Sequence, residues 1–193
     1  MSLLLYNSIM NKKDEIIEKA AILFSEKGYY GVGLKELLDS CSVPKGSFYY
    51  YFPKGKIDLL NQVLEYCYDK MEYGIRTKYF THDSILEDFE SMADGLGGRL
   101  TDRDHFVSLT MSMIGIESVY LDESINKKCQ EIYSKWQKLY IESFLLKGYE
   151  PEEATEKAQA IFGMIHGALI SSWIKRNNDD LQYVKKTLKY IIQ

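Results

Sequence analysis

From Ile125 to Phe144 the apolar side chains recur three or four residues apart, at Ile125, Cys129, Ile132, Trp136, Leu139, Tyr140 and Phe144. That spacing gathers all seven on one side of an α-helix and suits no strand, whose faces alternate at every second residue. The same period governs most of the chain. Only three prolines interrupt 193 residues, and the periodic segments are rich in Leu, Ile, Glu and Lys, residues that cost little in a helix. The expected fold is therefore all-α, with nine helices, three in a small N-terminal head and six in a larger body.

The first helix is expected from Lys12 to Lys27, with Ile16, Ile17, Ala20, Ala21 and Phe24 inward and Gly28 closing it at the C′ position. Leu34, Leu37, Leu38 and Cys41 mark a two-turn second helix. Pro44 to Tyr51 forms the third, with Ser42 as a capping-type residue and Pro44 in its first turn. A long fourth helix begins at Lys56 and extends towards Phe80, carrying Ile57, Leu60, Leu64, Cys67 and Met71. Asp83-Ser84 with Glu87 reads as a capping box for a fifth, which falters at Gly95, Gly97 and Gly98. The sixth runs from Asp104 to Tyr120, and the Ile125–Phe144 stripe is the seventh, closed by Lys147-Gly148. Pro151-Glu152-Glu153 opens the eighth, with acids facing the helix dipole, and it runs to Arg176. The ninth starts at Asp179.

Composition narrows the function. The net charge of −4 argues against nucleic acid if taken alone, but its distribution is uneven. Up to residue 60, eight lysines face seven acids, so this part is +1 and the remainder −5. Cys41, Cys67 and Cys129 have no close pair, which suggests neither a disulfide framework nor a zinc site. The start of the chain makes a poor signal peptide, and no window approaches the roughly 18 apolar residues of a membrane span. A cytoplasmic protein with no membrane association is expected. His82, His105 and His166 lack metal-ligand spacing, Gly95-Leu96-Gly97-Gly98 lacks the context of a dinucleotide loop, and no nucleophile elbow or phosphate loop occurs. An enzyme is not expected, nor any metal or cofactor.

The segment Ser42-Val43-Pro44-Lys45-Gly46-Ser47-Phe48-Tyr49-Tyr50-Tyr51-Phe52-Pro53-Lys54-Gly55-Lys56 combines cationic, hydroxyl and aromatic groups without one acid. On the third helix, Lys45, Ser47, Tyr49 and Tyr50 lie outward while Phe48 and Phe52, four apart, share a face for burial. Two short helices joined by a tight turn have the geometry of a helix-turn-helix, whose second member enters a major groove.

With Phe24-Ser25-Glu26-Lys27-Gly28-Tyr29, Leu37-Leu38, Val43-Pro44-Lys45-Gly46-Ser47-Phe48-Tyr49-Tyr50-Tyr51-Phe52 and Lys56, the sequence from about Lys12 to Leu64 resembles the DNA-binding head of the TetR family of transcriptional regulators. The resemblance implies residues 1–56 as a DNA-binding domain and 57–193 as a ligand-binding and dimerisation domain. By matched position Lys45, Ser47 and Tyr50 face bases and Gly46 permits close approach, while Lys35, Tyr49 and either Lys54 or Lys56 face phosphate. Tyr51 is either core edge or phosphate contact. Lysine can donate to guanine O6 and N7, and a serine methylene or tyrosine ring can touch a thymine methyl. The chain departs from the family pattern at Gly33, where a capping Thr or Ser is usual, at Cys41-Ser42, and in a linker one residue longer at Lys54-Gly55-Lys56.

For the body the resemblance implies a small-molecule effector and a homodimer. Phe89, Met92, Phe106, Met113, Trp136, Tyr140, Phe162 and His166 are the effector-binding candidates, each also ordinary core material on its own. His166 could bond a ligand or serve as a hydrogen-bonded core histidine. Gly163, Gly167 and Ser171, four apart, form a smooth strip for a close helix approach, and Val184, Leu188 and Ile191 could supply the apolar seam of a dimer. The expected protein is a DNA-binding regulator, a repressor released from a pseudo-palindromic double-stranded operator by a small, largely apolar ligand. A helical ligand-binding or interaction module without DNA binding is the alternative.

Overall fold

The computed structural model describes residues 11–98 and 106–192, and among them there are nine α-helices. They are α1 Lys12–Gly31, α2 Leu34–Cys41, α3 Lys45–Tyr51, α4 Lys56–Gly74, α5 Ile85–Gly97, α6 Phe106–Ser118, α7 Glu123–Leu146, α8 Pro151–Lys175 and α9 Asp179–Ile191. The helical period thus prevails wherever it is visible in the sequence. A five-residue π-helical turn, Ile75–Tyr79, prolongs α4 and ends where the Phe80 N–H donates to the Ile75 carbonyl at 2.8 Å.

The helices group into two compact units. The first holds residues 11–68 with 106–130 and the second 69–98 with 131–192. In the first, α1 starts where the Asn11 side chain accepts from the Asp14 N–H at 3.1 Å, and Asp14 and Glu15 place negative charge in the first turn. Its apolar face of Ile16, Ile17, Ala20, Ala21 and Phe24 is buried, and it packs against α6. From α4 the Tyr66 hydroxyl reaches Glu18 at 3.1 Å, and Glu65 pairs with Lys128 of α7.

Gly28 breaks α1 with φ 69° and ψ 171°, a backbone state that a side chain resists. After that break one further turn reaches Gly31, and Gly33 then caps α2 without a side-chain bond. Ser42 differs from its expected role. It adopts the left-handed conformation, φ 51° and ψ 50°, and closes α2, its N–H donating to the Asp39 carbonyl at 3.2 Å. The turn between the two helices is too tight for its side chain to cap α3, so Pro44 takes the N-cap position. The expected capping box is likewise not formed, since Ser84 makes no side-chain cap bond at α5.

In the second unit α9 lies on α5 and α8. Leu181, Val184 and Leu188 are buried, and Asp94 of α5 accepts from Lys185 at 2.6 Å and Gln182 at 3.3 Å. Two glycines near the end of α5 make room for neighbours, Gly95 for Tyr79 of the π turn and Gly97 for Asn178 before α9. A Cβ on Gly95 would meet the Tyr79 ring at 2.5 Å, and one on Gly97 would meet Asn178 at 3.2 Å.

Gly28 offers a direct test of the head's construction. A Cβ there would sit 2.4 Å from a Glu117 carboxylate oxygen, on a backbone with φ of 69°. Gly28→Ala should cost about 1–3 kcal/mol, read as a lower urea midpoint with an unchanged m-value.

Candidate DNA-binding surface and effector core

The short α3 is held from beneath by its own aromatic residues. Phe48 and Phe52 are fully buried with ring centroids 5.2 Å apart, so the outward face is fixed by what the inward face packs on. Lys45, Gly46, Ser47, Tyr49 and Tyr50 are exposed, Tyr50 at 80%. Nothing lies within 4 Å of a Cβ built on Gly46, so the backbone there is open to close approach. Tyr49 is placed differently from Tyr50. Its ring stands over Gly55, where a Cβ would meet it at 3.4 Å, and it packs edge-on to Phe48 at 5.5 Å. Tyr51 is half-buried.

The linker separates the two lysines left open by the sequence. The Lys54 N–H donates to the Asp58 carboxylate at 2.6 Å, its side chain is exposed, and Gly55 turns the chain with φ 73°. Lys56 turns inward. Its ammonium donates to the Tyr29 carbonyl and stands 3.8 Å from the centroid of the Tyr29 ring. Burial lowers its pKa, opposed by the nearby Glu117. A cation so engaged is unsuited to phosphate, which leaves Lys54 as the linker lysine on the open side, with Lys35 exposed near the start of α2.

Tyr29 is held through both of its backbone groups. Its N–H donates to the Glu117 carboxylate on α6 at 2.7 Å, and its carbonyl accepts from Lys56. Beside it the Tyr30 hydroxyl donates to the Tyr120 carbonyl at 2.9 Å. No sequence signal marks Glu117 for this role, because it lies 88 residues from its partner.

In the second unit six of the eight effector candidates come together. Phe89 and Met92 of α5, Trp136 and Tyr140 of α7, and Phe162 and His166 of α8 form a continuous cluster. Ring centroids lie 5.1 Å apart for Phe89–Tyr140, 5.3 Å for Tyr140–Phe162 and 5.4 Å for Trp136–Phe162. Tyr133, unremarked in the sequence, joins it 5.8 Å from Trp136. Met113 is half-buried on α6 in the first unit, and the side chain of Phe106 lies outside the described residues.

His166 Nδ1 is 2.8 Å from the Phe162 carbonyl. A carbonyl only accepts, so Nδ1 carries the proton and Nε2 of the neutral ring is an acceptor. Desolvation lowers its pKa to about 4, with the Phe162 bond opposing. The Tyr140 hydroxyl donates to the Met92 sulfur at 3.0 Å, and burial raises its pKa. His82 and Asp88 serve the loop before α5 instead, Asp88 Oδ1 accepting from the His82 N–H at 2.8 Å.

The candidate dimer residues divide. Gly163 and Gly167 are exposed, and a Cβ on either would meet nothing within 4 Å. Ser171 is half-buried, and its side chain contributes to lowering the pKa of Asp180, after the larger effect of Lys175. Val184 and Leu188 are buried in the chain's own core, 8% and 0% exposed, and Ile191 is half-buried. Val184 and Leu188 therefore cannot form an outward seam, since the apolar face of α9 is already spent on α5 and α8. The exposed apolar groups on these two helices include Ile170, Ile174, Tyr183 and Tyr190.

A buried-cored, outward-reading α3 behind a tight turn defines a helix-turn-helix DNA-binding protein with a helical body. Residues 16–63 match the model of bacterial regulatory proteins of the tetR family, and residues 86–187, more than half of the chain, match the C-terminal domain of LmrA/YxaF-like transcriptional regulators. The chain belongs to the TetR family and is a DNA-binding transcriptional regulator, a family of DNA-binding dimers rather than of enzymes. It is 24% identical to the HTH-type transcriptional regulator LmrA of Bacillus subtilis over 95% of this chain and 97% of that one. It is 26% identical to IcaR of Staphylococcus aureus, a negative transcriptional regulator of a biofilm operon, over 85% of this chain and 100% of that one. Among solved structures, reduced NemR of E. coli superposes with a TM-score of 0.83 at 19% identity over 95% of this chain and 98% of that one. A TetR regulator from Legionella pneumophila gives 0.81 at 19% over 96% of this chain and the whole of that one. No described helix is long and apolar enough to cross a membrane.

His166 generates a pH prediction. Its folded pKa of about 4 lies below the ordinary 6.5, so as pH falls the unfolded chain takes up the proton first. Its contribution to stability is fully present above about pH 6.5 and is lost towards pH 4, by up to about 3 kcal/mol. In His166→Phe this part of the pH dependence should vanish, measured as the difference between wild-type and variant unfolding free energies from pH 7 to 4.

Proposed function

We propose that the chain acts as a homodimeric, cytoplasmic repressor that leaves a pseudo-palindromic operator when a small, largely apolar ligand binds its body. The observation that carries the DNA contact is the division of α3, with Phe48 and Phe52 fully buried and Lys45, Gly46, Ser47 and Tyr50 exposed. In this reading residues 1–56 are the DNA-binding part and 57–193 bind ligand and partner. Lys45, Ser47 and Tyr50 meet base edges, while Lys35, Tyr49 and Lys54 meet phosphates and set the register. The negative regulator IcaR, similar over most of the chain, supports repression as the sign of control.

Dimerisation rests on α8 and α9. Gly95 and Gly97 are small because neighbours in the same chain press on them, whereas Gly163 and Gly167 face open space. Their smallness serves a surface outside the chain, and Ile170, Ile174, Tyr183 and Tyr190 supply apolar area around it. A two-fold pairing there would set two recognition helices about one DNA turn apart, roughly 34–36 Å. The ligand acts through its different affinity for the two body conformations, passed to the head along α4, whose first residue is Lys56.

Gel-shift on the DNA upstream of the protein's own coding sequence tests the reading. Binding should weaken steeply with salt, and Lys45→Ala should cost about 1–3 kcal/mol. Lys56→Ala should instead lower the melting temperature, because it removes an internal bond. Salt-insensitive binding, or binding indifferent to Lys45→Ala, would sink the DNA-contact assignment.

Gly167→Leu separates the dimer from the fold. On a single chain the substitution should be neutral or stabilising by about 0.5–1 kcal/mol, because glycine is a poor helix former. In a dimer it blocks the approach, so native mass spectrometry should show folded monomer.

A further inference from the structure

Three polar atoms in the aromatic cluster of the second unit are poorly served. The Trp136 indole Nε1–H is a donor and His166 Nε2 an acceptor, both buried and without a hydrogen-bond partner among the described residues. Trp136 as a whole is 3% exposed. The third is the Tyr140 hydroxyl, 1% exposed, which donates to the Met92 thioether at 3.0 Å, a weak acceptor. A buried donor or acceptor left unmade carries its full desolvation cost. The two atoms sit on neighbouring rings whose centroids are 4.2 Å apart.

We propose that this cluster binds an uncharged, aromatic-bodied ligand through a hydroxyl group, whose oxygen accepts from Trp136 Nε1–H and whose proton is donated to His166 Nε2. The rings of Phe89, Tyr140 and Phe162 supply the walls for an aromatic body, which packs edge-on or offset against such rings. Met92, flexible and adaptable, is the side chain that yields, and its withdrawal frees the Tyr140 hydroxyl for a second acceptor on the ligand. The selectivity follows from hydrogen-bond count. An ether satisfies Trp136 but leaves Nε2 without a proton donor, and a hydrocarbon satisfies neither. A carboxylate sets a desolvated charge and lone pairs against Nε2, while an ammonium directs its protons at the indole N–H and finds no counter-charge there. The neutral state of His166, lowered by burial to a pKa of about 4, keeps Nε2 an acceptor at neutral pH. This assignment rests on the reading of the body as the effector-binding part.

The test uses the full chain and five phenyl probes of similar size: benzyl alcohol, benzyl methyl ether, ethylbenzene, benzylammonium and benzoate. The chain has two tryptophans, so an ¹⁵N spectrum holds two indole N–H signals, and Trp173→Phe assigns that of Trp136. Benzyl alcohol should move the Trp136 signal saturably and bind at least about tenfold more tightly than the ether or ethylbenzene, with both charged probes weaker still. In His166→Phe the preference for alcohol over ether should disappear. The proposal is overturned if benzyl alcohol leaves the Trp136 signal in place, or if the ether or a charged probe binds as tightly. The alcohol–ether comparison needs only wild-type protein, so a variant that fails to fold does not remove the test. A parallel selection of duplexes from a random DNA library checks the regulator reading independently. If no duplex is enriched that reading fails, whatever the probes do.

Discussion

The backbone of Tyr29 is the constraint on which the head depends. Its N–H is taken by Glu117 of α6 and its carbonyl by Lys56 at the start of α4, so the backbone of one residue, through two successive peptide groups, fixes the end of α1 against two other helices. Gly28 makes this possible. At φ 69° it ends the α1 spiral and leaves the space that the Glu117 carboxylate fills. Both partners of Tyr29 are charged, and charge-assisted bonds are the stronger kind. The angle at which α2 and α3 leave α1 follows from this joint and from the Phe24, Tyr29, Phe48 and Phe52 rings packed in the head.

The same economy of local parts explains α3. A seven-residue helix is too short to be stable by itself, and α3 lacks a side-chain cap at its start. It exists because Phe48 and Phe52 are buried and because the Ser42 turn and the Gly55 turn bring the chain into and out of it. The body solves the opposite problem. Its helices are long and need little help to form, but their aromatic core of Phe89, Trp136, Tyr140, Phe162 and His166 contains polar tips that the core does not fully satisfy. A core built only for stability would have apolar side chains there; in a body read as the ligand-binding part, these tips are where recognition is sought.

Much of this was legible in the sequence, and the parts that were not share a cause. Helix spans followed from periodicity, and Gly28, Gly148 and Arg176 end helices near the expected places. A spacing of four places Phe48 and Phe52 on one face, and the structure buries both. Capping preference does not say which of two adjoining helices a residue such as Ser42 serves. Lys54 and Lys56 could not be separated because both are lysines two residues apart, and the difference between them is a carbonyl 27 residues away. Val184 and Leu188 formed an apolar stripe, but a stripe does not name the surface that covers it.

By itself, then, the sequence determined the class of fold, the order and extent of the helices, and the chemistry offered by the Lys45–Tyr50 segment, because each depends on residues within a few turns of one another. Tertiary structure alone decided that Glu117 holds Tyr29, that Lys56 turns inward, that α9 spends its apolar face on its own chain, and that Trp136 and His166 meet with unpaired polar atoms. Those outcomes depend on which helix packs beside which, and contacts between residues tens of positions apart leave no periodic trace in either partner's sequence.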